Sequence, residues 1–523
     1  MRSRRTIGCA SAATCGDGSD GPVSNMPLNL SNRDQNSGHM FYNRRLRAAI
    51  TRFSVRMKHD DRKQQAALAL SVVFVMLGCG WMALLHFMKP AGLVGQAAIV
   101  GNRDTGALYA KIDGRLHPAL NLTSARLATG SALSPTWVTS QEIGRYPTGP
   151  MIGIPGIPDD LVVVDNPLSA WAACDTASAR GGSNAPTVTV IGGELTVGDR
   201  AAPMSPTSAI FASHRRSTYL IWNGQRSRID PADRAVTVNL GLDPGKTRPV
   251  EISNVLFDAL PATEPLVVPS VPAAGTPSRW LPGSVVGRVL QTKDASGTVN
   301  AFYVLLSNGV QKITGFVADL LRTADSQGSV QPQLVGPDRL IDVPEVEVLN
   351  VGFYPTGRLE FIDTGANPVS CVSWKKLSTD RQATVTVFNG RGLPTPQNFD
   401  SHIVGLVRDS RGPDSVEAQQ TLMLPGSANF AVSTSGAIIA DTRESLFWVS
   451  PQGVRYGIDR DQNTLQALGI DPLRAVQAPW PILRTFAAGP PISRGNALLA
   501  RDIIEPGGAM AVVPPSGPHD TGG

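Results

Sequence analysis

Between Lys63 and Lys89 the chain runs for 25 residues, QQAALALSVVFVMLGCGWMALLHFM, without a formal charge. A helix of about 20 apolar residues covers a hydrocarbon core about 30 Å thick. Interior helices of soluble domains are seldom this long and this uncharged, so the stretch predicts one transmembrane helix over 64–88. A cleaved signal would place its apolar run close to the N-terminus, whereas 63 residues come first here. Trp81, His86 and Lys89-Pro90 suit the interface at the far end.

Charge orients the helix. Residues 1–63 hold 12 Lys+Arg against 5 Asp+Glu, leaving 35 against 37 of the chain's 47 and 42 for the rest. The N-terminal flank carries Arg44, Arg45, Arg47, Arg52, Arg56, Lys58, Arg62 and Lys63; Lys89 stands almost alone on the other side. Positive flanks stay in the cytoplasm, so the chain keeps a short cytoplasmic tail (1–39, read as disordered) and sends about 430 residues across. The sequence pI of 9.0 is thus an N-terminal property. No basic stripe crosses the body, and no nucleic-acid partner is expected. In FYNRRLRAAITRFSVRM, Leu46, Ile50, Phe53 and Met57 recur at helical spacing among Arg44, Arg45 and Arg47, predicting a basic amphipathic helix over 40–63. Such a helix can lie on anionic lipid or dock a cytoplasmic partner; the residues leave both readings open.

The exported part repeats a kernel of an aromatic-led strand, a Gly turn and a helix-like stretch closed by Gly. Its copies are Tyr109-AKIDG-RLHPALNLTSARLATG130, Tyr219-LIWNG-QRSRIDPADRAVTVNLG241 and Trp448-VSPQG-VRYGIDRDQNTLQALG469. A weaker copy at Tyr303-VLLSNG-VQKITGFVADLL lacks the closing Gly. Asp-Gly and Asn-Gly after short apolar runs signal hairpins. These copies predict four repeats, at 95–160, 215–275, 280–335 and 441–505. Cys174 and Cys371 are the two exported cysteines (Cys9, Cys15 and Cys79 lie before or within the membrane helix) and are expected to pair in an oxidising compartment. Their bond would join the segments 161–214 and 336–440 into one discontinuous central β domain. Alternating runs in those segments, TVTVIGGELTV, VEVLNVGFYPTGRLEFI, QATVTVFNG, SHIVGLVRD and NFAVSTSGAIIA, agree with it. The C-terminal 506–523 is read as a disordered tail.

GLDPGKTRPV (241–250) ends in the letters of a phosphate loop. That loop requires G-x-x-x-x-G-K-[ST], so that successive backbone N–H groups face the phosphates. Here Gly241 is one position too close and Leu240 stands where the first Gly belongs. The last repeat makes the corresponding turn as LGIDPLRAV, without Gly-Lys. Gly245-Lys246-Thr247 therefore reads as a surface turn. No G-x-S-x-G, H-E-x-x-H or C-x-x-C occurs. Asp459-Arg-Asp461 opens like a calcium loop but has Thr464 where the Gly belongs. His117 reads as a packed or turn histidine, and Asn121-Leu-Thr123 matches a glycosylation pattern. No catalytic, cofactor-binding or metal-binding residue is assigned.

The chain resembles EccB, the B component of type VII (ESX) secretion systems of mycobacteria and other actinobacteria. The resemblance rests on FYNRRLRAAITR, FMKPAGLVGQ, DTGALYAKIDGRLHPALNLTSARLATG and PTGPMIGIPGIP, and runs from about residue 40 to 505. It implies a single-pass protein of the inner membrane, with a β-rich α+β periplasmic part of four repeats around a discontinuous central β domain. The implied function is a structural core component that organises the periplasmic side of the export machinery. The implied partners are the motor ATPase EccC, EccD, EccE, a mycosin protease and further copies of the chain. The basic helix bearing Arg44, Arg45, Leu46, Arg47, Ile50 and Phe53 becomes a cytoplasmic assembly element. Family members have been described as ATPases, for which this sequence offers no Walker A motif. A cell-wall-binding module is the competing reading.

Overall fold

Short apolar strands broken by Asp-Gly and Asn-Gly leave the backbone little choice but a tight hairpin. In the computed structural model Asp113-Gly114 and Asn223-Gly224 both take positive φ (47° and 77°, 44° and 74°). That is the primed turn whose twist matches the flanking strands. The structure describes residues 33–53, 58–88, 92–178, 185–243, 245–407 and 416–503. The expected disordered segment 506–523 lies outside these, as do residues 1–32 of the other; its residues 33–39, expected to be disordered, are helical. The chain forms two compact units, Met1–Pro90 and Ala91–Gly523.

The first unit holds helix α1, Arg33–Arg52, and helix α2, Lys58–Met88. The stretch 40–63 is divided between them. Arg44, Arg45, Leu46, Arg47 and Ile50 lie on α1, while Phe53 follows it with φ 50° and 97% exposure. Residues 58–63 open α2, so the membrane helix begins six residues before its uncharged stretch. Charged side chains at a helix end can remain hydrated beyond a bilayer, and the backbone has no reason to break where hydrocarbon begins.

In the second unit one pairing order occurs in four sheets. Three antiparallel strands come first: Ile99–Asn102, Leu108–Ile112 and Arg115–Ala119; Ser208–His214, Ser217–Trp222 and Gln225–Ile229; Val289–Lys293, Val299–Leu306 and Gly309–Ile313; Phe430–Thr434, Leu446–Val449 and Val454–Ile458. A capped helix follows each third strand, and a short strand then returns parallel to the first: Thr136–Val138, Val250–Glu251, Gln333–Leu334 and Val476–Pro479. The helices start at Asn121, Asp233, Thr314 and Asp461, whose side chains accept backbone N–H groups. Three end on Gly130, Gly241 and Gly469 in left-handed conformation, the role of the closing Gly. The copy without that Gly has the longest of the four helices, Gly315–Ala324.

A seven-stranded sheet joins the two middle segments. Its centre is Leu168–Thr176 paired with Val369–Leu377, flanked by Thr187–Gly192 and Thr384–Gly390. Several boundaries differ from the sequence expectation. Ser208–His214 and Phe430–Thr434, assigned to the central segments, each begin one of the four sheets. Alternation identifies a strand but not its sheet. Most of VEVLNVGFYPTGRLEFI is loop; only Glu360–Phe361 pairs, and the segment is held by burying Val351, Tyr354 and Leu359. The last strand, Ala500–Arg501, returns to Met151–Ile152 of the first sheet.

Side-chain alternation gives the central sheet two buried faces. Trp171, Ala173, Val372 and Trp374 share a core with the second and fourth sheets, including Ile210, Ile221, Phe447 and Phe486. Ala172, Cys174, Cys371 and Phe388 lie on the other face. The second and third sheets share a core through Phe211, Leu240, Val304 and Leu321. The first and fourth share one through Leu127, Ile154, Phe430 and Trp448.

Candidate functional site

The Gln65–Leu84 window of α2 is the one helix among the described residues long and apolar enough to cross a membrane, and none of it is buried. Its Leu68, Phe74, Leu77, Trp81 and Met82 stand exposed. At 1.5 Å per residue those 20 residues span about 30 Å, the depth of hydrocarbon that such a surface requires. On α1, Leu46 and Ile50 are exposed along with Met40, Phe41 and Tyr42.

The body begins with a covalent staple. Cys174 and Cys371 face one another on the two central strands and form a disulfide across a sequence separation of 197. Both are fully buried. The pairing links the two segments that the sequence places on either side of the second and third sheets.

The Gly-Lys-Thr letters are committed to a turn. The Asp243 side chain accepts the Gly245 N–H at 3.0 Å, and its carbonyl accepts the N–H of Lys246 (3.0 Å) and Thr247 (2.8 Å). Lys246 pairs with the Asp243 carboxylate at 3.4 Å and is otherwise exposed. The amides that would cradle a phosphate are thus turned onto Asp243, and strand Val250–Glu251 follows where a phosphate loop needs a helix. Asp461 is likewise engaged: as a helix cap it accepts the Thr464 N–H at 2.9 Å, and its hydrogen bonding to Thr464 lowers its pKa.

His117 packs its ring over Gly149, with Nδ1 3.1 Å from the Pro150 carbonyl. Asn121 is buried, accepts the Ser124 N–H at 2.8 Å and donates to the Ile154 carbonyl at 2.9 Å. Its amide is occupied by the fold and closed to a glycan. Two separated sequence strings meet here. Ser124 Oγ accepts the Ile154 N–H, Thr123 Oγ1 donates to the Pro158 carbonyl at 2.8 Å, and Arg126 pairs with Asp160 at 2.7 Å. LHPALNLTSARL and the PTGPMIGIPGIP segment with the residues after it therefore clamp one another.

One titratable group escaped the sequence. Asp175, next to the disulfide, is buried and faces away from it; its two oxygens accept the Ser253 N–H and Oγ–H, both at 2.7 Å. Burial pushes its carboxyl up to about 7 against those two hydrogen bonds, which favour the ionised form. Ser253 caps the helix Asn254–Ala259, so the carboxyl joins the central sheet to the second. A lone Asp in an apolar strand gives no sequence signal for this.

Comparisons with known proteins agree on a family. The model for "Type VII secretion system ESX-1, transport TM domain B" matches residues 28–506. The chain is 62% identical to the ESX-2 secretion system ATPase EccB2 of Mycobacterium tuberculosis over 93% of this chain and 98% of that protein. It is 38% identical to the ESX-3 secretion system ATPase EccB3 of Mycolicibacterium smegmatis over 90% and 91%. Among solved structures, a chain of the intact ESX-5 inner membrane complex matches with TM-score 0.71 and 35% identity, covering 94% of this chain and 99% of that one. A structure of an EccB3 dimer from the ESX-3 core complex matches with TM-score 0.67 and 35% identity over 77% and 100%. An unburied apolar helix, a β-rich body with the Cys174–Cys371 staple and these matches together place the chain in the EccB family of type VII secretion systems.

Proposed function

We propose that this chain is a structural core component of a type VII secretion complex in the inner membrane, anchoring and organising the periplasmic side of the export machinery. The observation that carries the reading is the union in one chain of an apolar helix with no buried residue in its span and a large body closed by a buried disulfide. The helix serves lipid, and the disulfide serves an oxidising compartment. The positive excess before α2 supports an orientation with the N-terminus in the cytoplasm and the body in the periplasm.

On this reading the four similarly ordered sheets are repeats of one unit around the central sheet. Helix α1, with Arg44, Arg45 and Arg47 beside the exposed Leu46 and Ile50, is an assembly element on the cytoplasmic side. The partners are EccC, EccD, EccE and a mycosin protease, together with further copies of the chain. The neighbouring structures of an intact inner membrane complex and of a dimer support membership of an assembly. The test is affinity purification of the tagged full-length protein in mild detergent, followed by mass spectrometry. Co-purification of a motor ATPase and a multispan membrane protein is expected; a protein that always elutes alone as a monomer contradicts the proposal.

A further inference from the structure

Where the central sheet meets the fourth sheet, a crevice of about 550 Å³ is lined by Lys376, Arg443 and Arg474, with Asp165 the one acidic side chain among its lining residues. The lysine is the unusual member. It is 7% exposed, although an ammonium taken out of water requires compensation by charge or by hydrogen bonds. Its Nζ donates to Gln477 Oε1 at 2.6 Å and to the Ala440 carbonyl at 3.4 Å, both neutral acceptors. Among the described residues no carboxylate pairs with it, and its third N–H has no acceptor. Arg443 spends one N–H on the Ala475 carbonyl (2.7 Å) and pairs with no carboxylate among the described residues. Arg474 reaches Asp165 at 3.1 Å. The Ser378 hydroxyl, on the same wall, has no partner among the described residues.

We propose that this crevice is an oxyanion site that takes a phosphate-bearing ligand. Three cations against one carboxylate leave a formal charge of +2, which a phosphate dianion neutralises. Guanidinium forks offer paired donors to tetrahedral oxygens, while an ammonium acts as a point charge behind them. Arg443 and Lys376 are tied to the segment Arg474–Gln477, whose own Arg474 pairs with Asp165, so occupation of the crevice would brace the fourth sheet against the central one. The crevice is far larger than a free phosphate ion requires, so it also suits a phosphate carried on a sugar or a polymer.

The test uses the full chain in detergent at constant ionic strength. Inorganic phosphate is titrated in place of chloride, and the melting temperature and heat of binding are followed. A saturable rise with phosphate is expected. R443Q/R474Q, both at exposed side chains, should weaken it about tenfold or more, and R474Q alone should weaken it less. A response to glycerol phosphate but not diethyl phosphate assigns a terminal phosphate, and a response to both assigns a polymer backbone. Equal responses to phosphate and chloride overturn the proposal, as do a response to citrate alone or binding unchanged in R474Q and R443Q/R474Q.

Discussion

Replacing Asp175 with Asn tests whether the central sheet carries a buried carboxyl that resists ionisation. A carboxyl moved from 3.8 to about 7 by folding stabilises the folded state fully only below the lower value. As pH rises between the two, the unfolded chain ionises while the folded one stays protonated, and stability falls. The whole loss is roughly 4 kcal/mol at 1.36 kcal/mol per pH unit, of which about 2.5 kcal/mol falls between about pH 5 and pH 7.5. Asp175→Asn cannot titrate. It gives up one of the two acceptors used by Ser253, a pH-independent cost of about 1 kcal/mol. Urea unfolding of residues 92–523 should therefore show the variant gaining about 2.5 kcal/mol on wild type between about pH 5 and about pH 7.5. Parallel curves for the two proteins across that range would refute the argument. Carboxylates such as Asp104 and Asp461, lowered by hydrogen bonds, act in the opposite sense and are lost only at more acid pH.

Other expectations are simpler. Removing the staple in Cys174→Ala/Cys371→Ala should lower the urea midpoint by an amount equivalent to at most about 5 kcal/mol, the chain-entropy value for a loop of 197 residues. Asn121→Ala strips a helix cap and leaves the Ile154 carbonyl without its donor, so it should cost about 2–4 kcal/mol in the same assay. Lys246→Ala should leave the melting temperature unchanged, and any ATP hydrolysis by the purified chain as well, because this lysine belongs to an Asp243-centred turn. Phe74→Arg, at mid-span of α2, should cost about 2.5–3.5 kcal/mol on insertion and shift the protein from the membrane to the soluble or degraded fraction.

Parts of this molecule are legible because single residues have strong local consequences. Twenty-five uncharged positions announce the membrane helix, and Asp113-Gly114 and Asn223-Gly224 force hairpins. Gly130, Gly241 and Gly469 end helices because left-handed backbone suits glycine. Long-range assignments are less legible. Ser208–His214 and Phe430–Thr434 have the alternation of strands, but their sheet depends on partners elsewhere in the chain. Val351, Tyr354 and Leu359 look like strand residues yet are buried from a loop that packs without pairing. Asp175 and Lys376 become notable only when the fold removes them from water. Neither sits in a motif, and their chemistry comes from what surrounds them.

Orientation across the bilayer is the point on which the functional account turns. An epitope at the N-terminus and another at the C-terminus, followed while protease is added to intact spheroplasts, measure it directly. The account predicts that the C-terminal epitope and the body disappear while the N-terminal epitope persists on a short protected fragment containing α2. Survival of the body with loss of the N-terminal epitope would contradict it.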